Sequence, residues 1–324
     1  MNNMLETRHL KKYFSTPAGP LHAVDDVSLT VREGKTLGIV GESGCGKSTL
    51  GRAVLRLIEP TDGQVLFNGE NILKYNKQQM LELRKQMQII FQDPYSSLNP
   101  RMNVSQLITE PLKVNNTGFS REETEERIAE LMRTVGLAER LQMSYPHELD
   151  GGRRQRVGIA RALTLNPRLI VCDEPVSALD VSIQAQILNL LMDLQDQRGL
   201  TYLFITHNLA VVKHISDDIA VMYLGQCIEK APSRDLFKNP LHPYTKALLD
   251  SIPTPTLKKN GRQRTTISGE LISPVNPAPG CRFAPRCPRA VKECLNRDFP
   301  LVEIEQDHFV ACRLYGLAEA NTKE

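Results

Sequence analysis

The chain has 324 residues, of which 41% are hydrophobic and 24% are charged, and its 40 basic and 37 acidic side chains leave a formal net charge of +3. This composition is ordinary for a globular protein with one large core or two moderate ones, so it excludes general disorder. The near balance of charge does not by itself indicate nucleic acid or another polyanion as a partner.

The sequence shows no signal for a membrane-spanning or secreted chain. No stretch approaches the roughly 20 consecutive apolar residues that span a bilayer. The N-terminal sequence MNNMLETRHLKKYF lacks the apolar core of a secretory signal. We therefore expect any membrane role to pass through a partner protein.

Short apolar runs alternate with helical patterns along most of the chain. Strands are predicted for KTLGIV, MQIIF, LIVCDE, TYLFIT and IAVMY, and a helix is predicted for TLGRAVLRLI. The Asn-Gly pair in GQVLFNGENI is typical of a hairpin. The pattern predicts an α/β domain with a largely parallel sheet and an antiparallel flank.

Two regions differ from this alternation. In SREETEERIAELMRTVG, Ser120 and Glu123 have the spacing of a capping box and Gly136 is a helix stop, so we predict a helical insertion. After about Asp235 the chain becomes rich in proline, then basic, and then carries clustered cysteines. We interpret this part as a small C-terminal region.

The segment GESGCGKST matches the phosphate-binding pattern G-x-x-x-x-G-K-[ST], and it stands between a predicted strand and a predicted helix as that pattern requires. Its glycines would let backbone N–H groups surround phosphate oxygens. Lys47 would neutralise the β and γ phosphates of ATP, and the Ser48 hydroxyl would bind Mg²⁺. The predicted binding residues are Gly41, Glu42, Ser43, Gly44, Cys45, Gly46, Lys47, Ser48 and Thr49.

A second chemical signal follows the buried strand pattern in RLIVCDEP. The strand would deliver Asp173 and Glu174 to its carboxyl end, where ligands collect in open α/β sheets. Asp173 would hold Mg²⁺, and Glu174 would orient or deprotonate the attacking water. Alone, the two carboxylates would fit a helix N-cap equally well. The phosphate-binding loop (P-loop) in GESGCGKST favours the catalytic interpretation of Asp173 and Glu174.

Two further polar residues follow predicted strands. His207 ends TYLFITHN, where it would reach the γ-phosphate, although a lone histidine is more often structural. Gln92 in IIFQDPYSSLNP could reach Mg²⁺ or the attacking water through its amide. Both assignments depend on the two preceding motifs.

In this order and spacing the motifs resemble those of an ABC-type ATPase subunit. The resemblance makes Gly41–Thr49 the Walker A motif, Gln92 the Q-loop, Asp173 the Walker B aspartate and His207 the switch histidine. It makes SALD, from Ser177 to Asp180, the D-loop, and Phe14, or with less support Tyr13, the aromatic that stacks on adenine. It predicts a nucleotide-binding domain over residues 1–235, with a helical subdomain over about 93–155.

The C-terminal region, residues 236–324, resembles the extension found in ATP-binding subunits of oligopeptide and dipeptide importers, a group that includes nickel importers. NPLHPYTKALLDSIP and QDPYSSLNPRMNV carry this resemblance. The resemblance implies a head-to-tail dimer of ATPase subunits, two membrane permeases and an extracytoplasmic solute-binding protein. It places the chain peripherally at the cytoplasmic face of the membrane, with no nucleic-acid partner.

Two alternative functions also fit the sequence. One is the ATPase of a nickel or other small-solute importer. The other is an ABC ATPase acting on nucleic acid or ribosomes, but such proteins usually have two nucleotide-binding modules or a long heptad insertion, and this sequence shows neither pattern.

The signature motif departs from the family pattern L-S-G-G-Q. Asp150 replaces its serine, and a carboxylate about 4 Å from a phosphate charge costs roughly 4 kcal/mol at an effective dielectric near 20. Our hypothesis is that this signature serves a degenerate site on a second, different ATPase, whereas the chain's own Walker motifs are competent. The pair would then be an obligate, asymmetric heterodimer. In a milder alternative, Arg153 or Arg154 pairs with Asp150 and both sites stay active. The signature residues are Leu149, Asp150, Gly151, Gly152 and Arg153.

Four of the seven cysteines cluster near the C-terminus with the spacing C-x5-C-x6-C-x17-C. Four thiolates could hold a [4Fe–4S] cluster or a tetrahedral Zn²⁺. The absence of tight C-x2-C pairs and the family resemblance favour the cluster, and nearby Arg282, Arg286, Arg289 and Lys292 would offset its negative charge. The predicted ligands are Cys281, Cys287, Cys294 and Cys312.

Overall fold

The structure, a computed structural model, describes residues 2–115, 117–251 and 273–315. The chain divides into two compact units. The first combines Met1–Leu5, Val31–Lys35 and Leu66–Ile205, and the second combines Glu6–Thr30, Thr36–Val65 and Thr206–Glu324. The predicted C-terminal region is described only in part, because residues 252–272 and 316–324 lie outside the described residues.

The described residues form an α/β fold. Its strands are β1 Asn3–Thr16, β2 Gly19–Arg32, β3 Thr36–Val40, β4 Asp62–Phe67, β5 Glu70–Asn71, β6 Met87–Ile90, β7 Leu169–Asp173, β8 Thr201–Thr206, β9 Asp218–Tyr223, β10 Gln226–Pro232, β11 Val302–Glu305 and β12 His308–Val310. All five predicted strands and the predicted β4–β5 hairpin are present.

The α-helices are α1 Lys47–Val54, α2 Lys77–Gln86, α3 Pro94–Ser97, α4 Val104–Val114, α5 Arg121–Thr134, α6 Gly151–Leu163, α7 Val181–Arg198, α8 Leu209–Ile215, α9 Ser233–Lys238 and α10 Pro243–Asp250. Short 3-10 helices occupy Ile72–Lys74, Glu139–Leu141, Pro146–Glu148, Ala284–Arg286 and Lys292–Leu295. No helix among the described residues is both long enough and apolar enough to cross a bilayer.

Within the second unit, five strands lie in the order β11-β12-β10-β9-β3. β3 and β9 are parallel, whereas β9, β10, β12 and β11 are successively antiparallel. The two predicted strands of this unit, β3 and β9, are therefore parallel as expected, and the C-terminal strands β10, β12 and β11 add antiparallel pairs beside them. A tight turn joins β9 to β10, because Leu224 and Gly225 both have positive φ values, of 42° and 87°.

Within the first unit, β6, β7 and β8 form a parallel set with β7 in the middle. All five residues of β7 and all six of β8 are buried, as expected for strands covered on both faces. The predicted helical insertion is present: α6 contacts α3, α4 and α5 in this unit. Ser120 and Glu123 form the predicted capping box at the start of α5.

The predicted helix after the P-loop is shorter than expected. It begins at Lys47 and ends at Val54, so the last residues of TLGRAVLRLI are not helical. Arg56 has a φ of +49°, a left-handed conformation that an α-helix cannot contain. The helix therefore ends before this residue, and the chain changes direction there.

Candidate functional site

Glycines shape the loop between β3 and α1 in the second unit. Gly46 has a φ of 102°, and a Cβ there would lie 1.9 Å from the Ala23 carbonyl oxygen. A Cβ on Gly41 would lie 2.2 Å from the Met222 carbonyl oxygen. Neither position can hold a larger residue without moving backbone. The fold therefore requires both glycines of the predicted P-loop.

The Lys47 side chain lies inside this loop and is 4% exposed. Its ammonium donates hydrogen bonds to the carbonyl oxygens of Gly41 at 2.8 Å and Glu42 at 2.9 Å. A buried cation surrounded by loop backbone at a helix N-terminus suits a phosphate ligand. Ser48 and Thr49 follow Lys47 in the first turn of α1.

Two aromatic residues at the end of β1 have different environments. The Tyr13 ring stacks on His22 with centroids 3.9 Å apart, and its hydroxyl donates to Asp25. The Phe14 side chain is 38% exposed, with the Lys12 ammonium 4.9 Å from its ring centroid. The internal contacts of Tyr13 leave Phe14 as the ring that can receive a base.

β7 in the first unit ends at two buried carboxylates. Asp173 is 1% exposed and Glu174 is 9% exposed. Glu174 has a φ of +48°, which is strained for a residue with a Cβ. Its N–H donates to the Ile205 carbonyl oxygen at 2.9 Å, and the Ser177 hydroxyl donates to its carbonyl oxygen at 3.1 Å. The strand end and the predicted D-loop together fix this conformation.

The structure brings two predicted catalytic residues together in the first unit. The Gln92 amide Nε2 donates a hydrogen bond to Oε2 of Glu174 at 3.1 Å. Gln92 follows β6, which pairs with β7 in parallel, so both residues emerge at the same edge. His207 follows β8, is exposed, and belongs to the second unit; its neighbour Asn208 caps α8.

The predicted signature residues surround the start of α6. Asp150 is the N-cap: its Oδ1 accepts the Arg153 N–H at 2.7 Å, and its Oδ2 lies 3.4 Å from an Arg153 guanidinium nitrogen. The Arg154 side chain does not pair with the Asp150 carboxylate. It is buried, donates to the Pro146 carbonyl oxygen and stacks over the Tyr95 ring at 3.6 Å. An aspartate can therefore replace a serine here without loss of the cap.

Two glycines allow the signature helix to approach α7. A Cβ on Gly152 would lie 2.7 Å from a methyl carbon of Ile183, and one on Gly151 would lie 3.2 Å from Leu179. Leu149 is buried beside them. Asp180 stands at the N-cap of α7 without a side-chain cap bond.

Two residues that no sequence pattern relates to the P-loop hold Glu42 in place. The Glu42 N–H donates to the Tyr244 hydroxyl at 3.0 Å. Arg286 forms an ion pair with the Glu42 carboxylate, with distances of 3.0 and 3.3 Å. Both partners are about 200 or more positions away in the sequence, and no local pattern relates them to the P-loop.

The four clustered cysteines line one small cavity of about 20 Å³ in the second unit, together with apolar side chains such as Phe283 and Phe299. Burial raises the pKa of the Cys281 thiol to about 11 and also raises the pKa values of Cys287 and Cys312. No group of three or more His, Cys, Asp or Glu residues in the described part of the chain has the arrangement of a metal-ion site. The described residues therefore do not support the predicted metal site.

Two sequence families match the chain. The family described as "ABC transporter" matches residues 24–177, and the family described as "Oligopeptide/dipeptide transporter, C-terminal region" matches residues 228–294. With the glycine loop, the strand-end carboxylates and the signature helix, the first match defines the class as ABC-type ATPases.

Full-length relatives narrow this class. The oligopeptide transport ATP-binding protein AppF of Bacillus subtilis (strain 168) is 50% identical over 323 residues, which cover 97% of this chain and 98% of that protein. The oligopeptide transport ATP-binding protein OppF of Escherichia coli (strain K12) is 50% identical over 309 residues, covering 95% and 92%. The chain belongs to the family of oligopeptide and dipeptide transport ATP-binding proteins.

Solved structures support the ATPase fold. The dimeric ATP-binding cassette MJ0796, in a post-hydrolysis state bound to ADP and Pi, has a TM-score of 0.66 and 29% identity, covering 71% of this chain and 99% of that chain. cbiO1 from Clostridium perfringens has a TM-score of 0.65 and 27% identity, covering 74% and 92%.

Proposed function

We propose that this chain is an ATP-hydrolysing subunit that powers the import of oligopeptides or dipeptides through a membrane ABC transporter. The observation that carries the proposal is the combination of two family matches in one chain, over residues 24–177 and 228–294. The relatives named for oligopeptide transport cover nearly the full chain, so the likeness includes the C-terminal region as well as the ATPase.

Each predicted site residue has a separate role in ATP binding or hydrolysis. The Gly41–Thr49 loop binds the phosphates, and Lys47 balances their charge. Phe14 offers its exposed ring to adenine. Glu174 accepts the proton of the attacking water, Gln92 orients the carboxylate, and His207 contacts the γ-phosphate.

Magnesium fits the donors that this chain supplies. A serine hydroxyl, a buried aspartate and a glutamine amide oxygen are the oxygen ligands that a hard divalent cation prefers. Ser48, Asp173 and Gln92 would hold the ion. When bound, it neutralises phosphate charge and fixes the orientation of the phosphates.

The proposed partners are a second, homologous ATPase, two transmembrane permeases and an extracytoplasmic solute-binding protein. Each ATP would lie between the Walker A loop of one ATPase and the signature helix of the other. Asp150 makes the two sites unequal: its carboxylate is 60% exposed at the helix N-terminus, where it would face the phosphates bound by the partner. Because its permease partners span the membrane, the chain would lie peripherally at the cytoplasmic face of that membrane.

A metal centre in the C-terminal region is a second part of the proposal. The four cysteines line the same cavity, which supports a shared ligand. Structural Zn²⁺ sites commonly use closely spaced C-x2-C pairs, and the four clustered cysteines contain no such pair. Four cysteines with this wider sequence spacing suit a [4Fe–4S] cluster, so we propose the cluster in preference to zinc.

Reconstitution tests the proposed function. The chain is purified with its co-purifying membrane proteins and placed in liposomes, and ATP hydrolysis is measured with and without a peptide-loaded binding protein. We expect two polytopic permeases to co-purify and peptide to stimulate hydrolysis. Recovery of ribosomal RNA or DNA instead of permeases, or stimulation by nickel and not by peptide, would refute it.

A further inference from the structure

A residue of the C-terminal part of the chain, Arg286, contacts Glu42 of the P-loop. Arg286 donates to both carboxylate oxygens of Glu42 and to the Tyr223 hydroxyl at 3.2 Å. The Arg286 side chain is 9% exposed, and the Glu42 side chain is 23% exposed. Burial lowers the pKa of Arg286, but the bonds to Glu42 and Tyr223 outweigh it, so the net pKa of this guanidinium is raised.

A second arginine holds the strand that carries the adenine-facing aromatic. Arg282 pairs with Asp25 and donates to the Leu224 carbonyl oxygen. Asp25 in turn accepts hydrogen bonds from Tyr13 and His22, the stacked pair at the end of β1 and the start of β2. Tyr13 immediately precedes Phe14.

Both arginines come from one short segment, which we call the cysteine segment, residues 281–287. It begins at Cys281 and ends at Cys287. Between them Phe283 is buried in the core of the second unit, with its ring centroid 5.3 Å from Tyr223 and 5.4 Å from Tyr244. The segment is therefore fixed at its centre, and the two guanidinium groups extend from it to separate carboxylates.

These contacts give the arginines another role than the one predicted from the sequence. Arg282 and Arg286 are neutralised by Asp25 and Glu42, so they are not available as uncompensated positive charge for a cluster. Glu42 is part of the loop that binds phosphates, where an unpaired carboxylate repels the ligand. Arg286 cancels that repulsion.

We propose that Arg282 and Arg286 are positioning residues of the ATP site, through which the cysteine segment sets the affinity for ATP. Arg286 acts on the phosphate end by neutralising Glu42. Arg282 acts on the adenine end by fixing the Tyr13–Asp25 contact beside Phe14. This inference rests on the proposed function, because it requires ATP in the Gly41–Thr49 loop.

The proposal predicts opposite effects for the two members of one ion pair. Arg286→Gln leaves the Glu42 carboxylate uncompensated, and ATP binding weakens about tenfold, equal to about 1.4 kcal/mol. Glu42→Gln leaves Arg286 as an extra cation, so ATP binds as tightly as before or more tightly. In the Glu42→Gln background, Arg286→Gln then costs less than about threefold. A purely structural ion pair would make both single variants weaker.

Equilibrium titration of the full chain with a fluorescent ATP analogue and Mg²⁺ measures these affinities. Arg286→Lys keeps the charge and should recover most of the binding, whereas Arg282→Gln should weaken it. The exposed Lys292 lies in the same region without a described contact to the P-loop, so Lys292→Gln is the matched control. Thermal melting identifies any variant that fails to fold. If Arg286→Gln does not fold, the ATP affinities of Arg286→Lys and Glu42→Gln are compared instead. In the assembled transporter, the KM for ATP should rise with little change in kcat.

The inference is overturned if Arg286→Gln and Arg282→Gln bind the analogue within about twofold of the native chain, or if Glu42→Gln weakens binding as much as Arg286→Gln. Lys47→Ala separates this failure from failure of the proposed function. If the native chain binds and Lys47→Ala does not, only the positioning role is refuted. If neither binds, the ATP site itself is refuted.

Discussion

The Gln92 side-chain amide donates a 3.1 Å hydrogen bond to the Glu174 carboxylate. Glu174 is nearly buried and has a strained backbone that the Ile205 carbonyl and the Ser177 hydroxyl hold in place. Strain at a buried carboxylate that is fixed from three sides is typical of a preorganised catalytic group.

The first prediction concerns this carboxylate. Glu174→Gln removes the general base and keeps the size of the side chain, so kcat for ATP hydrolysis should fall by about 100-fold or more. ATP affinity should change by less than about threefold, because the P-loop is untouched. Steady-state hydrolysis and equilibrium binding measure the two effects. The exposed Glu139→Gln is the control, and hydrolysis of Glu174→Gln within about tenfold of native would contradict the assignment.

The second prediction concerns the unequal sites. In the purified heterodimer, Glu174→Gln should nearly abolish turnover, whereas the same change in the partner ATPase should have a much smaller effect. Asp150→Ser should raise turnover, because it keeps the helix cap and removes the charge. The Arg153–Asp150 pair does not cancel this effect, since exposed pairs contribute only about 0–1 kcal/mol. Equal halving by the two glutamate substitutions would show that both sites hydrolyse ATP.

The third prediction concerns acid stability. Burial raises the pKa of Asp25, but hydrogen bonds from Tyr13 and His22 and the charge of Arg282 outweigh it and hold the pKa below its usual value of 3.8. A carboxyl group with a lower pKa in the folded chain stabilises the fold above the unfolded pKa, and this stabilisation is lost as pH falls through the folded pKa.

Asp25→Asn should therefore reduce the free energy of unfolding by about 1–3 kcal/mol near neutral pH. The difference from the native chain should stay constant down to about pH 5 and shrink below about pH 3.8. Denaturant titrations at a series of pH values measure it, with the exposed Asp196→Asn as control. A difference that grows on acidification would contradict the described network.

The fourth prediction concerns the C-terminal cysteines. Chain purified without oxygen should be brown and contain iron and inorganic sulfide, and Cys281→Ser should lose both. Cys227 is buried outside the cluster, so Cys227→Ala should keep them. A colourless native chain with stoichiometric zinc would show that the four thiolates hold a single ion instead.

The local elements of this fold were predictable because their signals lie within a few residues. The apolar runs of β7 and β8, the capping box of Ser120 and the P-loop glycines each satisfy a local steric or hydrogen-bonding need. The same holds for Asp150, which is both a cap and a departure from the signature pattern.

The remaining features depend on contacts between distant parts of the chain. The Glu42–Arg286 and Glu42–Tyr244 contacts join the P-loop to residues beyond position 240. The pairing of β12 with β10 similarly adds a C-terminal strand to the sheet, opposite Glu229 and Lys230. Neither the periodicity nor the turn chemistry of one segment contains information on such partners.

The central claim is that ATP bound by the Gly41–Thr49 loop drives peptide import. Peptide uptake by the reconstituted transporter tests this claim most directly. Liposomes containing the complete transporter are supplied with binding protein, labelled peptide and ATP, and accumulated label is measured. The account predicts ATP-dependent uptake that Lys47→Ala and Glu174→Gln each abolish, while the Lys292→Gln control retains it. Uptake that persists in Lys47→Ala would contradict the account.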